Sequence, residues 1–244
     1  MKFSIHRLEE TNSTNAYIQQ LLMHEKLQEF TVVTTAYQTS GKGQRGNSWE
    51  SEADKNLLFT VLLKPEFVAA RSQFLISQIT CLSIKETLDN FASGFSIKWP
   101  NDIYWKEQKI CGILIENDLA GSMLSQSILG IGLNINQERF ISNAPNPVSL
   151  KNITGENHDC NAVLQDILQR LYSYYDLLRK GETKVISDRY HESLFRKEGF
   201  HNYSDKNGRF SARIVRVESD GTLLLFTETG ELRSYLFKEV QCVL

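Results

Sequence analysis

With 244 residues and 41% apolar side chains, the chain is long enough to bury a full core, so one large domain, alone or with a small companion, is expected. Its 27 basic residues against 29 acidic ones exclude the strong positive excess of a protein that grips a nucleic-acid backbone by charge alone. The longest apolar stretch, residues 57–63, is too short to span a bilayer and the first seven residues carry no signal-peptide core, so a cytoplasmic protein with no membrane partner is expected.

In chain order, Tyr17, Ile18, Leu21 and Leu22 keep the spacing of an amphipathic helix starting near Asn15, with Thr11, Ser13 and Thr14 as candidate caps. Residues 31–36 are β-branched and short, a glycine-rich segment follows, and residues 56–64 read as a central strand buried on both faces. Phe74, Leu75, Gln78, Ile79, Leu82 and Leu88 give a second helical stripe. Strands are then expected over 95–99, 110–116 and 127–134, the last two as a hairpin with its turn near 118–122. Val163, Leu164, Ile167, Leu168, Leu171, Tyr174, Tyr175 and Leu178 form the strongest helical pattern, and another helix is expected over 184–194. After Gly199 the texture changes to short strands over 213–217, 222–226, 232–236 and 240–244, which reads as a small barrel. The boundary is expected near 197–204, dividing the chain into 1–198 and 199–244. Cys81, Cys111, Cys160 and Cys242 are scattered without a C-x-x-C pair and read as reduced thiols, with no zinc site and no disulfide framework.

Three segments carry the chemistry. Gly41-Lys42-Gly43-Gln44-Arg45-Gly46-Asn47-Ser48-Trp49 combines glycines, whose backbone amides can approach an anion, with two cations. The spacing Gly41-x-Gly43-x-x-Gly46 matches a dinucleotide fingerprint, but that device needs a helix to follow and here a strand does. A protein-kinase loop does join strand to strand, yet no His-Arg-Asp or Asp-Phe-Gly occurs downstream. Taken alone, the loop is equally a tight turn with solvated charges. Lys98-Trp99-Pro100-Asn101-Asp102 places polar side chains just beyond a strand end, where they can enter a cleft; on its own Pro-Asn-Asp is also good turn chemistry. Lys109 opens the next strand, and Gly112 follows with no side chain to obstruct a ligand.

Read together and in this order, these segments resemble the biotin protein ligase family. Ser13-Thr14-Asn15 is similar to the family's early Ser-Thr-Asn, the segment from Gln38 to Trp49 to its glycine-rich signature loop, and the block from Lys98 to Glu116 to its Lys-Trp-Pro-Asn-Asp motif with the lysine-glycine strand. Gly130-Ile131-Gly132-Leu133-Asn134 resembles a fourth segment, and the strand-rich tail more weakly resembles an SH3-like C-terminal domain. The chain departs from the signature loop's usual arginines at Lys42 and Gln44, which makes Arg45 the stronger candidate for holding an adenylate. Because Ser13 comes so early, the monofunctional type without a DNA-binding domain is expected, with no nucleic-acid partner.

The resemblance implies an α+β fold: a mixed, mostly antiparallel sheet with packed helices of the class II synthetase type, plus a small SH3-like barrel. It also implies an ATP-dependent, AMP-forming ligase that activates biotin and transfers it to a lysine of a biotin carboxyl carrier domain, working as monomer or homodimer with Mg2+. Lys109 and Arg45 are the implied catalytic residues. Biotin would be bound by Ser13, Thr14, Asn15, Gln38, Gly41, Lys42, Gly43, Gln44, Lys109 and Gly112. ATP and the adenylate would be bound by Lys42, Arg45, Trp49, Asn101, Lys109 and Asn134, with Asp102 a candidate magnesium ligand. The competing expectations are a lipoate or octanoyl transferase of shared architecture, and a non-catalytic biotin or nucleotide sensor.

Overall fold

A computed structural model describes residues 3–43, 48–141 and 146–243. Seven strands pair into one sheet: β1 (Ser4–Thr11), β2 (Thr31–Gln38), β3 (Leu57–Leu63), β4 (Phe95–Lys98), β5 (Asp102–Trp105), β6 (Gln108–Ala120) and β7 (Met123–Leu133). Their order is β1-β2-β3-β7-β6-β5-β4, with β1 and β2 parallel and the remaining neighbours antiparallel. The helices are α1 (Thr14–His24), α2 (Phe74–Leu88), α3 (Leu150–Thr154), α4 (Cys160–Arg179) and α5 (Thr183–Glu192).

Strand alternation divides the core. On β3, Phe59, Val61 and Leu63 face the large cluster that includes Ile79 and Leu82 of α2 and Ile167 and Leu171 of α4. Leu62 faces the opposite side, where α1 closes a smaller cluster with Ile18, Leu27, Val33 and Ile128. All seven β3 positions are buried, which is why that strand reads as an unbroken apolar run. The α4 stripe is buried along its whole length and starts at an Asp159 N-cap whose side chain accepts from the Asn161 N–H at 2.7 Å. Truncation in the middle of this layer should be costly: Leu82→Ala, at a fully buried position, is expected to destabilise by about 2–5 kcal/mol, read from the denaturant midpoint.

Three strands escape the sequence pattern. β1 is a largely solvated edge strand with no apolar face to signal it. β5 starts at Asp102, two residues after Pro100, and pairs back on β4 through a turn that contains the cis Trp99–Pro100 bond. The third, β8 (His201–Asp205), joins β9 (Gly208–Val217), β10 (Leu223–Thr227), β11 (Leu232–Tyr235) and β12 (Val240–Cys242) in a second sheet ordered β11-β10-β9-β8-β12. The expected barrel is therefore corrected to an open sheet. Among the described residues no ladder joins β11 to β12, and these two remain the edges of the sheet, each paired on one side only. Ser13 is likewise corrected as a cap: it occupies the N-cap position of α1, but its hydroxyl makes no capping bond.

The second sheet rests on the β4–β5 turn. Trp99 Nε1 donates to the Gly221 carbonyl at 3.0 Å, and Phe237 lies 5.5 Å from the Trp99 ring and 5.9 Å from Phe74. Gly221, at φ +95°, has no room for a side chain, since a Cβ there would come within 2.9 Å of Phe74. All four cysteines are free, and burial pushes the Cys81 and Cys111 thiols upward. Among the described residues no helix is long and apolar enough to cross a membrane.

Candidate active site

A cavity of about 1080 Å³ opens over β6 and β7, bounded by the start of α1, the β4–β5 turn and the second sheet. Ser13, Thr14, Asn15 and Gln38 stand at one end; Lys109, Asp102, Asn101 and Asn134 stand along its walls; Lys42, Gly43 and Trp49 cover part of it. Gly41 does not line it: buried, it accepts the Trp49 N–H at 2.9 Å, and a Cβ there would meet the Trp49 carbonyl at 2.8 Å. Gln44 and Arg45 lie outside the described residues.

The floor is made of glycine. Gly112 and Gly132 face each other across the β6–β7 ladder, leaving a bare strip against which the Trp49 indole packs. A Cβ at Gly132 would stand 2.4 Å from the indole and one at Gly112 2.7 Å away. The buried Trp49 Nε1 has no hydrogen-bond partner among the described residues. The position thus accepts a flat ring but does not use the indole's polar edge.

Lys109 enters from the start of β6, held in place because its backbone is bridged to residues 146–148: its N–H donates to Asn146 O at 2.8 Å and its carbonyl accepts from Val148 N at 3.0 Å. Its Nζ lies 2.8 Å from Asp102 Oδ1 and 5.9 Å from the Trp49 ring centre. The two side chains of this pair remain 29% and 28% exposed, so the charge is available to a ligand. Lys98 donates to Tyr104 Oη at 3.1 Å; burial, and then the negative charge of Asp102, push the Tyr104 phenol up to about 12. Among the described lining residues Lys42, Lys98, Lys109, Arg209 and Lys238 outnumber the carboxylates of Glu50 and Asp102, the arrangement needed to bring two anionic groups together.

Asp102, the candidate magnesium ligand, lines the cavity as a single carboxylate engaged by Lys109; among the described residues no three acidic, histidine or cysteine side chains gather there. Asn101 lines the cavity as well, and its Nδ2 donates to the Ile113 carbonyl at 2.9 Å, fastening the turn to β6. Asn134 uses its Nδ2 on Val148 O at 3.1 Å, while its buried Oδ1 has no partner among the described residues and remains an acceptor for a ligand.

A family model described as the biotin/lipoate A/B protein ligase family matches residues 7–134, more than half of the chain. The chain belongs to that family. The biotin protein ligase of Aquifex aeolicus, solved in complex with biotin and ATP, superposes with a TM-score of 0.80 at 26% identity, over 98% of this chain and 99% of that one. The bifunctional ligase/repressor BirA of Bacillus subtilis is 28% identical over 88% of this chain and 67% of its own length. The biotin–[acetyl-CoA-carboxylase] ligase of Paracoccus denitrificans is 31% identical over 62% of this chain and 65% of its own. These relatives put the chain on the biotin side of the family, and it is a biotin protein ligase.

The sequence reading assigned no role to several residues that this ligase gathers at the cavity. Thr60 is the one hydroxyl in an otherwise apolar β3, a signal that was legible; its Oγ1 lies 2.7 Å from both Thr14 and Asn15. Gly130 makes room for Asn15, and Glu116 takes the Asn15 amide at 2.7 Å. Arg209 and Lys238 reach the same cavity from the second sheet, with nothing in the local sequence to distinguish them from solvated cations.

Proposed function

We propose that this biotin protein ligase works in two steps. The biotin carboxylate oxygen attacks the α-phosphorus of ATP and expels pyrophosphate; the ε-amine of a carrier-domain lysine then attacks the mixed anhydride's carbonyl carbon and expels AMP. The observation that carries this reading is the convergence of Lys109, the Gly112–Gly132 floor and the Ser13–Thr14–Asn15 cluster on one cavity. Such a site offers what biotin needs: directed polar contacts for its ureido head, here Ser13, Thr14, Asn15 and Gln38, and a flat surface for its apolar body. Lys109 offsets the repulsion between carboxylate and phosphate, aided by Lys42 and Arg45. Trp49 and the free acceptor of Asn134 serve the nucleotide, and magnesium arrives on the ATP phosphates.

The acceptor is a biotin carboxyl carrier domain of a carboxylase, and the reaction takes place in the cytoplasm. Residues 1–198 form the catalytic unit and 199–244 a unit that completes the cavity through Arg209 and Lys238. ATP–pyrophosphate exchange tests the reading. It should depend on biotin and not on lipoate, and labelled biotin should pass to an added carrier domain. Exchange driven by lipoate would reassign the substrate, and exchange without transfer would reassign the acceptor.

A further inference from the structure

Five polar side chains form one hydrogen-bonded line under the rim of the cavity. Gln38 Oε1 lies 2.9 Å from the Thr14 N–H and 3.2 Å from Thr14 Oγ1; Thr14 Oγ1 lies 2.7 Å from Thr60 Oγ1; Thr60 Oγ1 lies 2.7 Å from Asn15 Oδ1; and Asn15 Nδ2 lies 2.7 Å from Glu116 Oε2. Thr14, Thr60 and Asn15 are 3%, 0% and 5% exposed, so water does not share these bonds, whereas Glu116 at the outer end is exposed. Gly130 seats the middle of the line, since a Cβ there would stand 2.3 Å from Asn15 Oδ1.

The donor inventory gives the line a direction. A carboxylate only accepts, so Asn15 must turn its NH2 to Glu116 and its carbonyl to Thr60. That carbonyl also only accepts, so it takes the single Thr60 proton. Two hydroxyl oxygens 2.7 Å apart need a proton between them, and with Thr60's committed it must come from Thr14. Gln38 Oε1 is left with the Thr14 backbone N–H. Thr14 Oγ1 then presents only lone pairs to the cavity.

We propose that Glu116 is a positioning residue that sets the polarity of substrate recognition: by orienting Asn15 it turns the Thr14 hydroxyl into an obligate acceptor for a ligand N–H. The inference rests on the reading that the ureido head of biotin, with its two N–H groups, lies at Thr14. Glu116→Lys replaces an acceptor by a group that only donates, which turns the Asn15 carbonyl outward and reverses each proton down to Thr14. Adding Asn15→Asp restores the direction, because a carboxylate there accepts from both neighbours. Glu116→Gln can still offer its carbonyl to Asn15.

The test is steady-state ATP–pyrophosphate exchange on the full chain. Glu116→Lys should raise the KM for biotin about tenfold, the scale of a buried polar group left unpaired. Its kcat and its KM for ATP should stay within about threefold of wild type, as should the biotin KM of Glu116→Gln, while the Asn15→Asp/Glu116→Lys double variant, which also alters a lining residue, should show a biotin KM several-fold below that of Glu116→Lys alone. An unmoved biotin KM in Glu116→Lys, a double variant no better than the single, or Glu116→Gln matching Glu116→Lys would overturn the assignment. A wild type inactive with biotin would overturn the functional reading and this assignment with it, so the two failures are told apart by the wild-type arm.

Discussion

Replacing Lys109 with alanine is expected to lower biotin-dependent ATP–pyrophosphate exchange about 100- to 1000-fold, the scale of losing one preorganised group that stabilises transition-state charge. The geometry argues for the upper part of that range. Lys109 does more than add a positive charge, because its Nζ holds Asp102 at 2.8 Å. Without it that carboxylate stands unpaired where two further anions must meet. Asp102→Asn placed on top of Lys109→Ala should therefore recover part of the rate, a non-additivity that separates a reacting role from a loss of fold. Biotin binding measured by calorimetry shows whether the cavity persists in each variant. Exchange close to wild type in Lys109→Ala would remove the residue from the reaction.

Gly132→Val should weaken biotin binding about 10- to 100-fold, as expected when overpacking costs roughly 1–3 kcal/mol. A single Cβ at this position would already stand 2.4 Å from the ring now lying on the floor. Any flat group that takes that ring's place meets the same obstruction. The strand itself tolerates a β-branched residue, so the melting temperature should fall far less than the affinity. Unchanged affinity would mean that the strip between Gly112 and Gly132 is not where the substrate body lies.

What the sequence disclosed, it disclosed through periodicity and through ordered motifs. β3, α2 and α4 were legible because each presents a whole apolar face to the core. β1 was not, because a solvated edge strand paired on one side carries no alternation. β5 was hidden behind the turn chemistry of Pro100 and Asn101. The motif residues Ser13, Gln38, Lys109, Gly112 and Asn134 lie along one cavity as a set, since Gly112 sits within β6 on the cavity floor and the others sit at a strand end or a helix start. Asn101 belongs to a motif, but the bond from its Nδ2 to the backbone of Ile113 is not something the motif discloses. The bond from Asn15 to Glu116 spans 101 positions and leaves no trace in either local sequence. Long-range pairing and the open edge of the C-terminal sheet are properties of the assembled molecule, and only the assembled molecule shows them.

The Trp99 indole, in the turn that leads to Asp102, finds its partners at Gly221 and Phe237. During synthesis those partners leave the ribosome more than a hundred residues after the turn does. The nascent polypeptide can thus complete its central layers while the segment that steadies Lys109 still lacks its backstop. The backstop of the turn that leads to Asp102 is therefore made well after the cavity walls formed by β6 and β7.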